Sequence, residues 1–310
     1  MKTDSKCSDW KIEYDKFILD GNSIQAKSIK ENNINRSFFK YRCFDDNGYW
    51  LDWINGKVFL NSPSKFNDPF DCLISTTAET KLLILRDVAR ECLEEYVKLS
   101  KIDKKRLEIT DNVLEAICII LEQHGEKINR KHINNSLSVE SMEKREQSLF
   151  KNIFNIACFS EVNDSILMWS HYTNHHQGIC IEYDFSKRSR IIEHFYPVTY
   201  SDKRFVLQPC HYKKRICSMP IVLCKAKEWA YEHEWRYVNI VDSDLNPPSD
   251  NSIDLSDKDS IKAIYIGVDA KKHNSDSVEK LLKITRKRNI PLYEMRFDAH
   301  EYKLNPHRIH

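Results

Sequence analysis

The side chains best suited to chemistry fall in three separated stretches of this 310-residue chain. The first joins Tyr41-Arg42 to the polar turn Asn67-Asp68-Pro69-Phe70-Asp71. The second holds Cys158-Phe159-Ser160-Glu161, then Met168-Trp169-Ser170-His171-Tyr172, then Gly178-Ile179-Cys180-Ile181-Glu182-Tyr183. The third is Lys227-Glu228-Trp229-Ala230-Tyr231-Glu232-His233-Glu234-Trp235-Arg236-Tyr237. A strand-borne arginine such as Arg42 suits two-pronged capture of phosphate or carboxylate. Glu232 and Glu234 share a face if their segment is a strand, and a carboxylate so held can stabilise a developing positive charge. His171 is a candidate general base.

Each of these residues also has a structural reading. Arg42 could pair with Asp68 or Asp71, and Glu232 and Glu234 could be solvated carboxylates at a strand edge. Asn67-Asp68-Pro69 could simply close a turn. His171 could be a satisfied core histidine, since Met168, Trp169 and Tyr172 fall at helical spacing. Trp229, Trp235 and Tyr237 read as core.

The elements that must hold these groups follow from patterning. Residues 38–44 and 58–60 read as strands, with a helical turn at Trp50, Leu51 and Ile54 ended by Gly56. Leu82, Leu85, Ala89, Cys92, Tyr96 and Leu99 recur at helical spacing behind a Thr76/Glu79 capping box. Two more apolar stripes follow, Val113-Ile117-Ile120-Leu121 and Leu149-Ile153-Ile156, flanking a polar stretch at 124–140 that reads as a loop. Strands return at 156–160, 178–183, 197–200 and 235–241, and 242–258 reads as a polar loop. A strand at 263–268, a helix at 275–289 and a strand at 291–297 favour a parallel pair with a crossover. The expectation is an α/β (α+β) protein: an N-terminal arm over 1–36, then one α/β domain over 37–310. Its central mixed sheet is split by a helical insertion at about 78–155, and a strand–helix–strand unit closes it.

Composition narrows the function classes. Lys+Arg of 48 against Asp+Glu of 46 gives +2, so no global charge draws the chain to nucleic acid or anionic membrane. Local basic stretches at 124–132 and 203–215 read as solvated faces. Only 6 glycines are present, with neither a Walker loop nor GxGxxG. The 10 cysteines include no CxxC pair. Cys210, Cys217 and Cys224 with His211 match no zinc spacing, so no metal is expected. Free thiols and no signal peptide at the start point to the cytoplasm, and no apolar run reaches membrane-spanning length.

These motifs, in this order, resemble a bacterial family known as domain of unknown function 2971. Its pattern is a Tyr-Arg strand, a Ser-Pro-x-x-Phe-Asn-Asp-Pro-Phe-Asp turn, Cys-Phe-Ser, Met-Trp-x-x-Tyr, Gly-x-Cys-Ile and Trp-x-x-Glu-x-Glu-Trp-Arg. The resemblance runs from about Phe39 to about Phe297, and the family name implies no activity.

Arg42 with the Glu232-x-Glu234 pair also resembles the active-site layout of the mono-ADP-ribosyltransferase superfamily. That resemblance implies an ADP-ribosyltransferase-like core and NAD as a substrate. Arg42 would orient the diphosphate and ribose, and Glu234 would stabilise the oxocarbenium-like charge formed when nicotinamide leaves. Glu232 would sit beside the acceptor. Tyr41, Trp169 or Tyr172 would stack on nicotinamide or adenine, and Asn67, Asp68, Ser160 and His171 would complete the pocket. The superfamily's Ser-Thr-Ser strand has only Ser62-Pro63-Ser64 and Ser160 as stand-ins, and the helical insertion stretches the Arg42–Glu234 spacing.

The resemblance implies an effector that modifies a protein or nucleic acid, in a toxin or phage-defence setting with a cognate defence or antitoxin partner. Two other readings stand beside it. The carboxylates Asp68, Asp71, Glu161, Glu182, Glu232 and Glu234 would suit a metal-dependent nuclease if they converged. A non-catalytic module sensing a nucleotide or partner would be covered by that partner around Trp169–Tyr172.

Overall fold

The computed structural model describes residues 9–34, 37–73, 75–131, 133, 153–186, 189–210, 219–240, 252–255 and 260–310. Its strands are β1 Ser37–Arg42, β2 Lys57–Phe59, β3 Ser75–Thr76, β4 Phe154–Ser160, β5 Ile179–Asp184, β6 Phe195–Pro197 and β7 Thr199–Ser201. They continue with β8 Val206–Leu207, β9 Cys224–Ala226, β10 Glu234–Ile240, β11 Ser252–Asp254, β12 Ile261–Ile266, β13 Leu292–Phe297 and β14 Leu304–Arg308. In chain order the helices are α1 Asp9–Leu19, α2 Ser23–Asn33, α3 Tyr49–Ile54, α4 Ala78–Tyr96, α5 Lys101–Ile109 and α6 Val113–Gln123. After them come α7 Ile166–Tyr172, α8 Ser189–Glu193, α9 Met219–Leu223, α10 Ala270–His273 and α11 Ser275–Arg288. Short 3₁₀ turns occupy Pro63–Lys65 and Lys227–Glu232.

Eight strands form one mixed sheet in the order β14-β13-β12-β5-β1-β4-β10-β6. β12 and β13 run parallel, joined through α10 and α11, as the C-terminal pattern predicts. The other neighbours in this sheet are antiparallel. The mixed α/β architecture expected from the sequence is therefore the one observed. Alternating side chains build two apolar layers. Phe38, Trp53, Ile181, Tyr183, Trp235 and Leu281 pack on one face, while Tyr41, Trp169, Cys180, Tyr265 and Met295 pack on the other.

One irregularity in this sheet matters for function. β1 pairs with β5 along its full length, from Ser37↔Asp184 to Arg42↔Ile179. It meets β4 only at Phe39↔Ser160, while β4 pairs with β10 from Ser160↔Glu234 to Phe154↔Ile240. Beyond Phe39 the sheet forks.

Several local expectations need correction. The N-terminal stretch read as an arm folds from Asp9 into α1 and α2, whose Tyr14, Ile18 and Ala26 bury against Phe154, Ile156 and Val238. Lys30, fully buried, donates to the carbonyls of Ile192 and Glu193 at 3.2 and 3.0 Å. Widely spaced core residues among Lys, Asn and Ser make this amphipathic pattern faint. α4 is capped one residue later than expected, Thr77 accepting from Thr80 N at 3.1 Å, and its buried positions are Thr80, Ile84, Ala89 and Leu93. Tyr96 is exposed instead. Among the elements named here, the reciprocal capping box belongs to α5, between Ser100 and Asp103.

α4, α5 and α6 share their own apolar cluster, tied to the remainder through β3–β8 pairing. Of the third helical stripe, Ile156 lies in β4 and Leu149 lies outside the described residues. So does most of the 124–140 stretch beyond 131. The polar loop at 242–258 contains β11, which pairs with β2. β14 adds a further strand that sequence patterning did not reveal. Asn55 caps α3, and Gly56 follows it at φ +88°, a left-handed turn that suits glycine.

Candidate functional site

A cavity of about 360 Å³ opens in the fork between β1 and β4. Lys40, Tyr41 and Arg42 line one side and Ile156 to Phe159 the other, with Asn61 to Asn67, α7 and the β9–β10 region closing it. Strands that part leave backbone groups needing partners. Asn61 bridges Ile156 through two backbone bonds of 2.9 and 2.8 Å. The Lys40 ammonium donates to Cys158 O, and Tyr41 OH donates to Val162 O at 2.9 Å.

All three chemistry-bearing stretches contribute to this cavity, through Tyr41, Arg42, Asn67, His171, Tyr172, Glu232 and Glu234. Arg42 pairs with neither Asp68 nor Asp71. Its guanidinium lies 3.6 Å from the centre of the Trp53 ring. Among the described residues its buried Nε has no hydrogen-bond partner, and no carboxylate lies within salt-bridge distance of it. Burial draws its pKa down to about 10. Lys40 shares that face of β1; burial, then Arg42, lowers it to about 8.

The glutamates reach the cavity by a route the strand pattern did not anticipate. Glu232 ends the 3₁₀ turn Lys227–Glu232, His233 takes a left-handed φ of +44°, and Glu234 begins β10. They nevertheless converge on Lys225, which donates to Glu232 Oε2 at 2.5 Å and Glu234 Oε2 at 2.9 Å. Both carboxylates are buried rather than solvated at an edge. Lys225 and Arg236 are partners that the sequence reading did not identify. Arg236 is fully buried and grips Asp71 at 3.0 and 2.6 Å and Glu234 at 2.8 and 3.1 Å, with Val222 O at 2.7 Å.

The two carboxylates consequently differ in electrostatic state. Burial alone would raise Glu234, but Arg236 and Lys225 overcome it and hold the group well below the carboxylate range. Burial and then Glu234 raise Glu232, outweighing Lys225 and the 2.5 Å bond from Tyr172 OH. Burial also opposes the charge on Lys225, yet Glu234, Glu232 and Asp71 keep it protonated. Glu234, expected as the reacting carboxylate, is held as a counter-ion by Arg236 and Lys225. Glu232 is the one whose surroundings, burial first and then Glu234, favour the protonated form.

Other expected pocket residues have structural duties. Trp169 is fully buried, donating to Asn163 O at 2.7 Å and meeting Tyr41 edge to face. Ser160 is buried and joins Glu232 O to Val162 N at 2.6 and 3.1 Å. Asp68 accepts from Phe70 N at 2.8 Å, a turn device. Ser62 caps the turn that begins at Pro63. His171 is exposed at the cavity rim rather than in the core, 3.1 Å from Tyr231 OH. Cys158 lines the wall, but burial pushes its thiol up to about 12, which makes it a poor nucleophile.

Of the carboxylates that suggested a metal nuclease, Asp71, Glu232 and Glu234 converge, and they do so on Lys225 and Arg236. Glu182 stands apart from them, bonded to Tyr265 and Lys262. Among the described residues no group of His, Cys, Asp and Glu is arranged to hold a metal. Cys217 and His211 lie outside those residues. No described helix is long and apolar enough to cross a membrane. No curated protein and no solved structure matches the chain. Residues 168–237, from α7 through most of β10, match the family model described as Protein of unknown function (DUF2971), which supports that family for this part of the chain.

Proposed function

We propose that the forked-sheet cavity takes NAD and transfers its ADP-ribosyl group to a macromolecular acceptor, protein or nucleic acid. The observation that carries this reading is the presence of Arg42, without a carboxylate partner, and the Tyr172–Glu232 pair in one cavity. The strands bearing Arg42, Ser160 and Glu234 are also successive neighbours in the sheet.

In this scheme Arg42 holds the phosphates and the Tyr172 ring borders the nicotinamide, while Tyr41, expected to stack there, is buried against Trp169. The ribose–nicotinamide bond breaks with its electron pair leaving on neutral nicotinamide. Glu232 faces the positive charge left on the ribosyl carbon. An acceptor oxygen or nitrogen then forms the new bond and gives its proton to Glu232, whose raised pKa suits that step. Lys225 and Tyr172 fix the carboxylate. A partner restraining such an effector would cover the rim at His171 and Tyr172, since Trp169 is buried.

NAD labelled in its adenylate part, incubated with the protein and cell extract, tests the reading. Nicotinamide release with label transfer is expected, unaffected by chelator. Glu232→Gln should lower turnover about 10²–10⁴-fold with the far-ultraviolet dichroism unchanged. Absence of both release and transfer would reject it, and NAD binding without turnover would leave a sensing module.

A further inference from the structure

We infer that Lys40 and Arg42 together form a subsite for a doubly charged phosphate group, a diphosphate or a phosphomonoester. The inference deepens the transferase reading by assigning Lys40, which that reading does not use, but it rests on separate observations.

Lys40 and Arg42 are two residues apart on β1, so both side chains leave the same face of the strand. Both line the cavity. Across it, Asp71, Glu232 and Glu234 already answer to Lys225 and Arg236. No carboxylate among the described residues approaches Lys40 or Arg42 within salt-bridge distance. Among the described residues the ammonium has one backbone acceptor, Cys158 O, out of three donors. The Arg42 Nε is buried without an acceptor among the described residues.

Two neighbouring half-buried cations repel each other, and each loses part of its hydration. The lowered pKa values of both residues reflect that cost. Trp53 and Phe159 stabilise the pair partly through their ring faces, at 3.6 Å for Arg42 on Trp53 and 5.5 Å for Lys40 on either ring. A group with two negative charges supplies what the rings cannot, several acceptor oxygens at once. One negative charge would satisfy only one cation. The cavity volume of about 360 Å³ leaves room for a group larger than inorganic phosphate.

Calorimetric titration of the full chain with inorganic pyrophosphate, ADP and adenosine provides the test. Pyrophosphate and ADP should bind, and adenosine should not. Equal affinity for pyrophosphate and ADP would locate recognition in the phosphates, whereas a gain for ADP would add the nucleoside. Lys40→Met should weaken pyrophosphate about 10–100-fold, the scale of one charge-assisted hydrogen bond. The exposed Lys227→Met serves as control and should leave affinity unchanged.

Thermal unfolding gives a second readout should Arg42→Met fold poorly. Lys40→Met should melt higher than the parent without ligand, and pyrophosphate should raise the parent's midpoint but not the variant's. Undiminished pyrophosphate affinity in Lys40→Met, or no binding by the parent, would overturn the subsite. Pyrophosphate binding without nicotinamide release from NAD would keep the subsite and reject the transferase; the converse result would do the reverse.

Discussion

Arg236 and Asp71, 165 residues apart, share two buried hydrogen bonds of 3.0 and 2.6 Å at the cavity wall that Asp71 helps to line. The same guanidinium binds Glu234, so a single buried cation links the Asn67–Asp71 turn to the start of β10. Removing one member of such a pair leaves a buried charge without compensation. Arg236→Met should therefore cost about 3–5 kcal/mol in urea unfolding. Lys227→Met, which removes a mostly exposed 3.6 Å pair with Asp202, should cost under about 1 kcal/mol. Similar losses for the two variants would show that the buried bonds do not support the fold.

Opposite pKa shifts in neighbouring glutamates give opposite pH dependences. Glu232 is raised above its ordinary 4.5, by burial and then Glu234, so its folded form prefers the proton. Its contribution to stability is fullest below 4.5 and falls as pH rises above it. Glu234 is depressed by Arg236 and Lys225 against its burial, so its contribution is present above 4.5 and lost as pH falls below. Urea unfolding from pH 4 to 8 should show Glu232→Gln gaining on the parent as pH rises. Glu234→Gln should gain on the parent as pH falls. A constant offset for either variant across the range would contradict the assigned direction.

The sequence disclosed which segments meet more readily than what each side chain does there. Tyr41-Arg42, the Asn67 turn, His171-Tyr172 and Glu232-x-Glu234 could be picked out by local polarity and aromatic content, and all reach one cavity. Lys225 and Arg236 were not identified as carboxylate partners, because long-range pairing leaves no periodic trace. Arg236 did lie within a recognised motif, and a basic residue two positions after Glu234 on a strand was the available signal. The fork itself was illegible for the same reason. It follows from β4 choosing β10 over β1, a competition between distant segments. Likewise α1 and α2 leave only a weak apolar pattern, around Trp10, Ile12, Phe17 and Ile18, until the apolar surface of β4 and β10 exists to receive Tyr14 and Ile18.

Gly178 sets the position of Arg42 from behind. A Cβ at residue 178 would stand 2.1 Å from Arg42 O and 2.9 Å from Cys43 Cα, contacts that only movement of β1 or β5 could relieve. Gly178→Ala should cost about 1–3 kcal/mol as overpacking. It should also weaken pyrophosphate binding, because the displaced backbone carries the Arg42 side chain. An alanine variant with parental stability and parental affinity would show that this close approach does not govern the site.

Tyr14 offers a test in which removing an atom should help. Its ring is fully buried between α1, α2 and the sheet, and its hydroxyl has no hydrogen-bond partner among the described residues. Burial raises its pKa, so the group stays protonated, a donor with nothing to receive it. An unpaired buried hydroxyl costs about 1–3 kcal/mol, whereas the ring contributes packing. Tyr14→Phe should therefore leave stability unchanged or raise it by up to about 2 kcal/mol. Tyr14→Ala should lose about 3–5 kcal/mol by opening a cavity beside Trp10 and Phe154. Paired unfolding curves decide the matter: a phenylalanine variant markedly less stable than the parent would mean that the hydroxyl is bonded after all, and that α1 is anchored by polarity rather than by packing.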